Sequence, residues 1–127
     1  AREEFINELL KIRGPYDVNM AALVAARALL QDSQSWQELV SHLMGESKPA
    51  LEQFLKEHGV RFYPGEANFL LVEPKGGATA AVSYLKEKGI LVRPMRPPLE
   101  NYFRMSLRKM EDMKLFFKVF GDYFSPI

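Results

Sequence analysis

The chain of 127 residues is 47% apolar and 26% charged, which suits one buried core without cross-links and excludes a disordered segment. Its 17 basic and 16 acidic residues leave a net charge of +1, so no long-range field favours a polyanion and a nucleic-acid partner is disfavoured. The absence of cysteine excludes disulfides, thiol catalysis and thiolate metal sites. No apolar run reaches the roughly 18 residues of a membrane span, and the N-terminus has no signal-peptide pattern, so a cytoplasmic protein is expected. The chain opens at Ala1 directly into charged helical sequence and reads as a piece of a longer protein.

In chain order, Phe5, Ile6, Leu9, Leu10 and Ile12 follow helical spacing from Glu3 to Ile12, and Gly14-Pro15 breaks the helix. Asp17 or Asn19 is a suitable N-cap for a second helix, Met20 to about Leu30, which carries only Arg27 as a charge in its body. A helix apolar nearly all round requires burial on more than one side. From Gln34 to about Glu57 one long helix is expected, kinked near Gly45 and Pro49 and stopped by Gly59.

The period then changes. Val60–Tyr63 and Asn68–Val72 read as strands around the turn residues Pro64-Gly65-Glu66. Gly76-Gly77 leads into a helix from Ala78 to Lys88, closed by Gly89; Ile90–Arg93 and Tyr102–Leu107 read as two further strands around a proline-rich loop. Met113, Phe116, Phe117, Phe120 and Phe124 mark one face of a last helix. This order predicts an α+β fold, a small mixed or mostly antiparallel sheet of about four strands with helices on one face.

Metal binding finds little support, because His42 and His58 lie apart on helical sequence without an acidic ligand pattern. The serines have no adjacent histidine and no nucleophile-elbow glycines. Gly76-Gly77 could offer backbone amides to an anion, although a plain loop explains it as well. Arg61, Phe62, Tyr63, Phe103 and Arg104 interleave basic and aromatic residues; strand alternation, with Phe inward and Arg outward, accounts for them without RNA. Arg93, Arg96 and Arg104 are the most informative cations. Arg93 ends one predicted strand and Arg104 lies in the next, so the two can converge on one carboxylate or phosphate, or stand as solvated arginines on a strand edge.

Along essentially its whole length the chain resembles the C-terminal part of histidinol-phosphate aminotransferases, fold-type I PLP enzymes of the class I/II aminotransferases. Residues Leu10 to Asn19, reading Leu-Lys-Ile-Arg-Gly-Pro-Tyr-Asp-Val-Asn, resemble the family's basic-Pro-Tyr-Asn-Val-Asn segment. Tyr63 to Val72 is similar to its Pro-Ser-x-Ala-Asn-Phe-Leu strand pair. Gly89-Ile90-Leu91-Val92-Arg93 and Phe103-Arg104-Met105-Ser106-Leu107 match its two arginine-bearing strands. The chain departs at Gly14, where the family has proline, at Asp17, where it has asparagine, and at Arg108-Lys109, where it turns on glycine.

The resemblance implies transamination between an amino donor and a 2-oxo acid through pyridoxal 5'-phosphate (PLP), in a homodimeric, histidine-biosynthetic parent enzyme. It makes Arg104 the partner of the substrate carboxylate and Arg93 a cation near the distal end of the substrate. Tyr16 and Asn19 would lie at the domain junction near the active site. Residues 1–13 would be the connecting helix from a large domain, and residues 14–127 the C-terminal small domain. The Schiff-base lysine and the carboxylate for the pyridinium would lie in that large domain, since Lys11, Lys48 and Lys56 match no Schiff-base motif. The isolated chain is then expected to be inactive and to bind no PLP tightly. Freed of its neighbour, the apolar helix Met20–Leu30 is expected to drive self-association. The rival readings are a free-standing anion-binding module and an RNA-binding sheet.

Overall fold

In the computed structural model the described residues are 2–12 and 18–124. The chain divides into two compact units, Ala1–Trp36 and Gln37–Ile127.

The first unit holds α1 (Glu3–Ile12), α2 (Met20–Gln31) and the start of α3 (Ser33–His42). Glu3 and Glu4 occupy the first turn of α1 and Lys11 the last, which complements the helix dipole. Asn19 caps α2: extended at φ −77° and ψ 162°, it accepts the Ala22 amide at 2.9 Å. Asp32 serves α3 likewise, its Oδ1 accepting the Ser35 amide at 3.4 Å and its Oδ2 the Ser35 hydroxyl at 2.7 Å. The expected break at Gly14-Pro15 lies outside the described residues. None of the residues in α1, α2 or α3 is buried.

In the second unit α3 continues through a π-helical turn, Leu43–Ser47, into α4 (Lys48–Glu57). Pro49 has no amide to donate, and the chain responds by widening: the Lys48 amide bonds back five residues to the Leu43 carbonyl. The kink is therefore an inserted π turn. Ser47 is helical and makes no capping bond, so α4 is not a separately capped helix. Gly59 ends it at φ 61°, with Val60 N donating to Leu55 O at 2.8 Å. Gly89 ends α5 (Ala78–Glu87) in the same way, at φ 82° with Ile90 N on Leu85 O at 2.8 Å.

The sheet has four strands in the order β1 (Arg61–Tyr63), β2 (Phe69–Glu73), β4 (Phe103–Ser106), β3 (Arg93–Pro94). Every pairing is antiparallel, so the described sheet is antiparallel in its pairs rather than mixed. Because β2 and β3 each oppose β4, they run parallel to one another, linked through α5. Alternation assigns the faces. Leu70 and Val72 of β2, with Phe103 and Met105 of β4, are buried with Leu51 and Leu55 of α4 and Ala81 and Leu85 of α5. Met113, Phe116 and Phe120 of α6 (Met110–Phe124) complete this core, and the Phe120 ring meets Phe103 edge-on at 5.8 Å. The helices α4, α5 and α6 thus share one face, as the sequence predicts.

One expected strand is shorter. Ile90–Val92 is not paired, and β3 is reduced to Arg93–Pro94, with Met95 N on Tyr102 O extending the ladder by one bond. Leu91, 81% exposed, has no surface to pack on, and β-propensity acts through such packing.

Candidate anion-binding site

Register places two arginines side by side. Arg93 is the direct cross-strand partner of Arg104, on the face away from the helices. Directly opposed residues have Cβ atoms about 4.5–5.5 Å apart, where like charges repel unless something anionic lies between them. Neither arginine has a carboxylate partner among the described residues.

Arg104 is held from beneath. Its guanidinium carbon lies 5.0 Å from the centroid of the Phe69 ring, a cation–π contact between adjacent strands. Its Nε is buried without a hydrogen-bond partner. A buried N–H of that kind calls for an acceptor, and a carboxylate or phosphate fits the guanidinium edge.

Both arginines line a cavity of about 730 Å³ at the β3 edge, which falls within the range of small-molecule sites. Unpaired residues 90–92 form one side; Met105, Met113 and Phe116 give it apolar wall. Ser106, Arg108 and Asp112 add polar groups, with Arg108 Nε donating to Asp112 Oδ2 at 3.1 Å. The sequence reading named Arg108 only as a departure from the family's glycine turn and gave no site role to Asp112 or Phe69. The four-residue spacing of Arg108 and Asp112 at the head of α6 was a visible signal for the first two. The Phe69 platform was not visible, because it depends on register.

Arg96 belongs to the loop before the cis Pro97–Pro98 peptide and does not line this cavity. Tyr16 lies outside the described residues. Asn19 belongs to the other unit, where its side-chain oxygen is engaged as the α2 cap. Phe103 is buried on the core side and Phe62 half-buried there, whereas Arg61, Tyr63 and Arg104 take the other side. Strand alternation therefore accounts for the basic-aromatic pattern. On that outer side Arg61 pairs with Glu73 at 3.2 Å, and Tyr63 meets Tyr102 edge-on at 5.7 Å. Hydrogen bonding with Tyr63 raises the Tyr102 phenol above its ordinary value, with smaller contributions from desolvation and Glu73.

The histidines are structural. His58 Nδ1 sits 2.8 Å from the Phe54 carbonyl with its ring against Phe54, and His42 pairs with Glu46 at 3.0 Å. No cluster of metal-ligating side chains occurs among the described residues. Gly76 and Gly77 both take positive φ, 84° and 91°, in a turn closed by Gly77 N on Pro74 O.

This arrangement of helices on one face of a four-stranded antiparallel sheet is an α+β fold shared with aminotransferase-like structures. A Burkholderia pseudomallei protein assigned as an aminotransferase superposes with a TM-score of 0.73 at 22% identity, over 96% of this chain and 38% of its own. Histidinol-phosphate aminotransferase from Sinorhizobium meliloti, solved with pyridoxal-5'-phosphate, gives 0.69 at 24% identity, over 91% and 34%. Within that class the relatives in sequence are histidinol-phosphate aminotransferases. The Dehalococcoides mccartyi enzyme is 34% identical over 116 residues, which is 90% of this chain and 32% of that protein. The Vesicomyosocius okutanii enzyme is 25% identical over 98% of this chain and 35% of its own length. No family model matches the chain. The chain is histidinol-phosphate aminotransferase-like in sequence and spans about a third of the length of the curated relatives it matches.

Proposed function

We propose that this chain is the substrate-anchoring small domain of a PLP-dependent aminotransferase, residues 14–127 forming the domain and 1–13 the helix that connects it to a large domain. The observation that carries the reading is the cross-strand couple Arg93–Arg104, without a carboxylate partner among the described residues. Arg104, steadied by Phe69, takes the carboxylate of the amino or 2-oxo acid; Arg93 takes the anionic group at the distal end. A carboxylate gripped by a fixed two-pronged donor is held in one orientation, which lowers the entropic part of the barrier to proton removal at its α-carbon. Histidinol phosphate, which the relatives' names carry, would present its phosphate to Arg104 in place of a carboxylate, with 2-oxoglutarate as the proposed acceptor.

The cofactor does not fit this chain by itself. No lysine lines the arginine cavity, and Asp112, its one carboxylate, is engaged by Arg108. Lys48 donates to the Gly65 carbonyl, while Lys56 and Lys88 lie over the Phe62 and Tyr84 rings. PLP therefore belongs, in this reading, to residues beyond these 127, and the chain alone is inactive. A homodimeric parent working in the cytoplasm completes the reading; no described helix is long and apolar enough to cross a membrane.

The exposed apolar residues of α2, among them Met20, Leu23, Val24, Leu29 and Leu30, support self-association of the isolated chain. The experiment is borohydride reduction of the full gene product in PLP, with the labelled lysine mapped. Label outside residues 1–127 is expected. Label on a lysine within them, or none, would leave the free-standing anion-binding module as the better account.

A further inference from the structure

The arginine cavity contains a cation that the couple Arg93–Arg104 does not account for. Arg108 lies just ahead of α6 and lines the same cavity as the other two. Its Nε is tied to Asp112 Oδ2 at 3.1 Å. Asp112 stands in the first turn of α6, which fixes the direction from which the bond is made. Because the tie uses Nε, the two terminal nitrogens of the guanidinium remain for another acceptor.

The charges decide what that acceptor is. Three arginines and one carboxylate residue line the cavity, an excess of two positive side chains. A monocarboxylate would neutralise one of them and leave like charges opposed across β3 and β4. A small dianion neutralises both, and its oxygens suffice for more than one fork.

We propose that Arg108 is a third anion-holding residue of this cavity, with Asp112 as its internal competitor, and that together they set a preference for a small dianion over a monocarboxylate. The inference rests on the anion-anchoring reading of Arg93 and Arg104. Asp112 holds the Arg108 Nε, both side chains being more than half exposed at the cavity. An incoming dianion takes the terminal nitrogens and leaves the Nε bond in place. The carboxylate therefore costs affinity through its charge while it supplies orientation.

The two residues then carry opposite signs, which a merely structural ion pair would not. The test is calorimetric titration of the 127-residue chain with inorganic phosphate and with acetate, at low ionic strength. Phosphate binding is expected to weaken about three- to tenfold in Arg108→Gln and to tighten about threefold in Asp112→Asn, with acetate nearly indifferent to both. Circular dichroism of each variant verifies that the fold is retained, and Arg108→Lys, which keeps charge without the fork, should lie between wild type and glutamine. If Arg108→Gln and Asp112→Asn leave phosphate affinity unchanged while Arg104→Gln weakens it, the inference is overturned and the anchoring reading stands. If phosphate does not bind, or binds equally well without Arg93 and Arg104, both are overturned.

Discussion

Arg93 and Arg104 face each other across the β3–β4 ladder with no carboxylate partner among the described residues, and Arg104 rests on the ring of Phe69. Two like charges in direct cross-strand register reduce the stability of the empty protein. Replacing Arg93 with glutamine should therefore raise the thermal midpoint of the chain by about 1–3 °C at low salt. The gain should vanish in phosphate buffer, where the wild type recovers its deficit. Differential scanning calorimetry in the two buffers reads both effects.

Phe69 is the support of Arg104, and its contribution is separable from charge. In the proposed parent aminotransferase, Phe69→Leu should raise KM for the anionic substrate several-fold with little change in kcat, since a cation–π contact at a partly exposed site is worth about 0.5–1 kcal/mol. Steady-state kinetics of that variant tests this, and a fall confined to kcat would contradict it.

Much of the fold was legible before any coordinates. Gly59 and Gly89 marked the ends of α4 and α5 because each takes a positive φ, which glycine does at no steric cost. The cap of α2 was legible as Asp17 or Asn19, and Asn19 takes that role. The strand limits were less so: Ile90-Leu91-Val92 has the composition of a strand but stays unpaired beside the cavity. At the site, the two strand arginines were visible as a pair. The support beneath Arg104 and the pairing of Tyr63 with Tyr102 were not, because contacts between strands depend on register and a sequence states only neighbours along the chain.

Ser47 is fully buried at the π turn, and its hydroxyl has no hydrogen-bond partner. Removing a buried, unsatisfied hydroxyl relieves its desolvation cost. Ser47→Ala should leave the chain as stable or more stable by about 1 kcal/mol in urea denaturation. A loss of more than that would mean the hydroxyl is satisfied in solution.

Phe120 is the opposite case. Its buried ring contacts Phe116 at 5.1 Å and Phe124 at 4.7 Å besides Phe103 at 5.8 Å. Phe120→Ala should destabilise the chain by about 3–5 kcal/mol, enough to unfold much of the population of a marginal domain. The urea midpoint of this variant is the readout.

The Tyr63–Tyr102 contact predicts a pH effect with a definite sign. The Tyr102 phenol is raised above 10.0 chiefly by its hydrogen bond with Tyr63. A group whose folded value is raised stabilises the fold fully below its unfolded value and loses that contribution as pH rises through the folded value. Stability should therefore fall on the alkaline side of pH 10 by more in the wild type than in Tyr63→Phe. Ultraviolet titration of the variant should show Tyr102 returning toward its ordinary value.

The central claim is that Arg104 and Arg93 grip the two anionic ends of one substrate molecule. Side-chain nitrogen NMR of the 127-residue chain, titrated with 2-oxoglutarate, tests it most directly, because each arginine Nε–H reports separately. The two signals should shift along a single isotherm, with the buried Nε of Arg104 moving further. Shifts on separate isotherms, or none at either residue, would contradict the account.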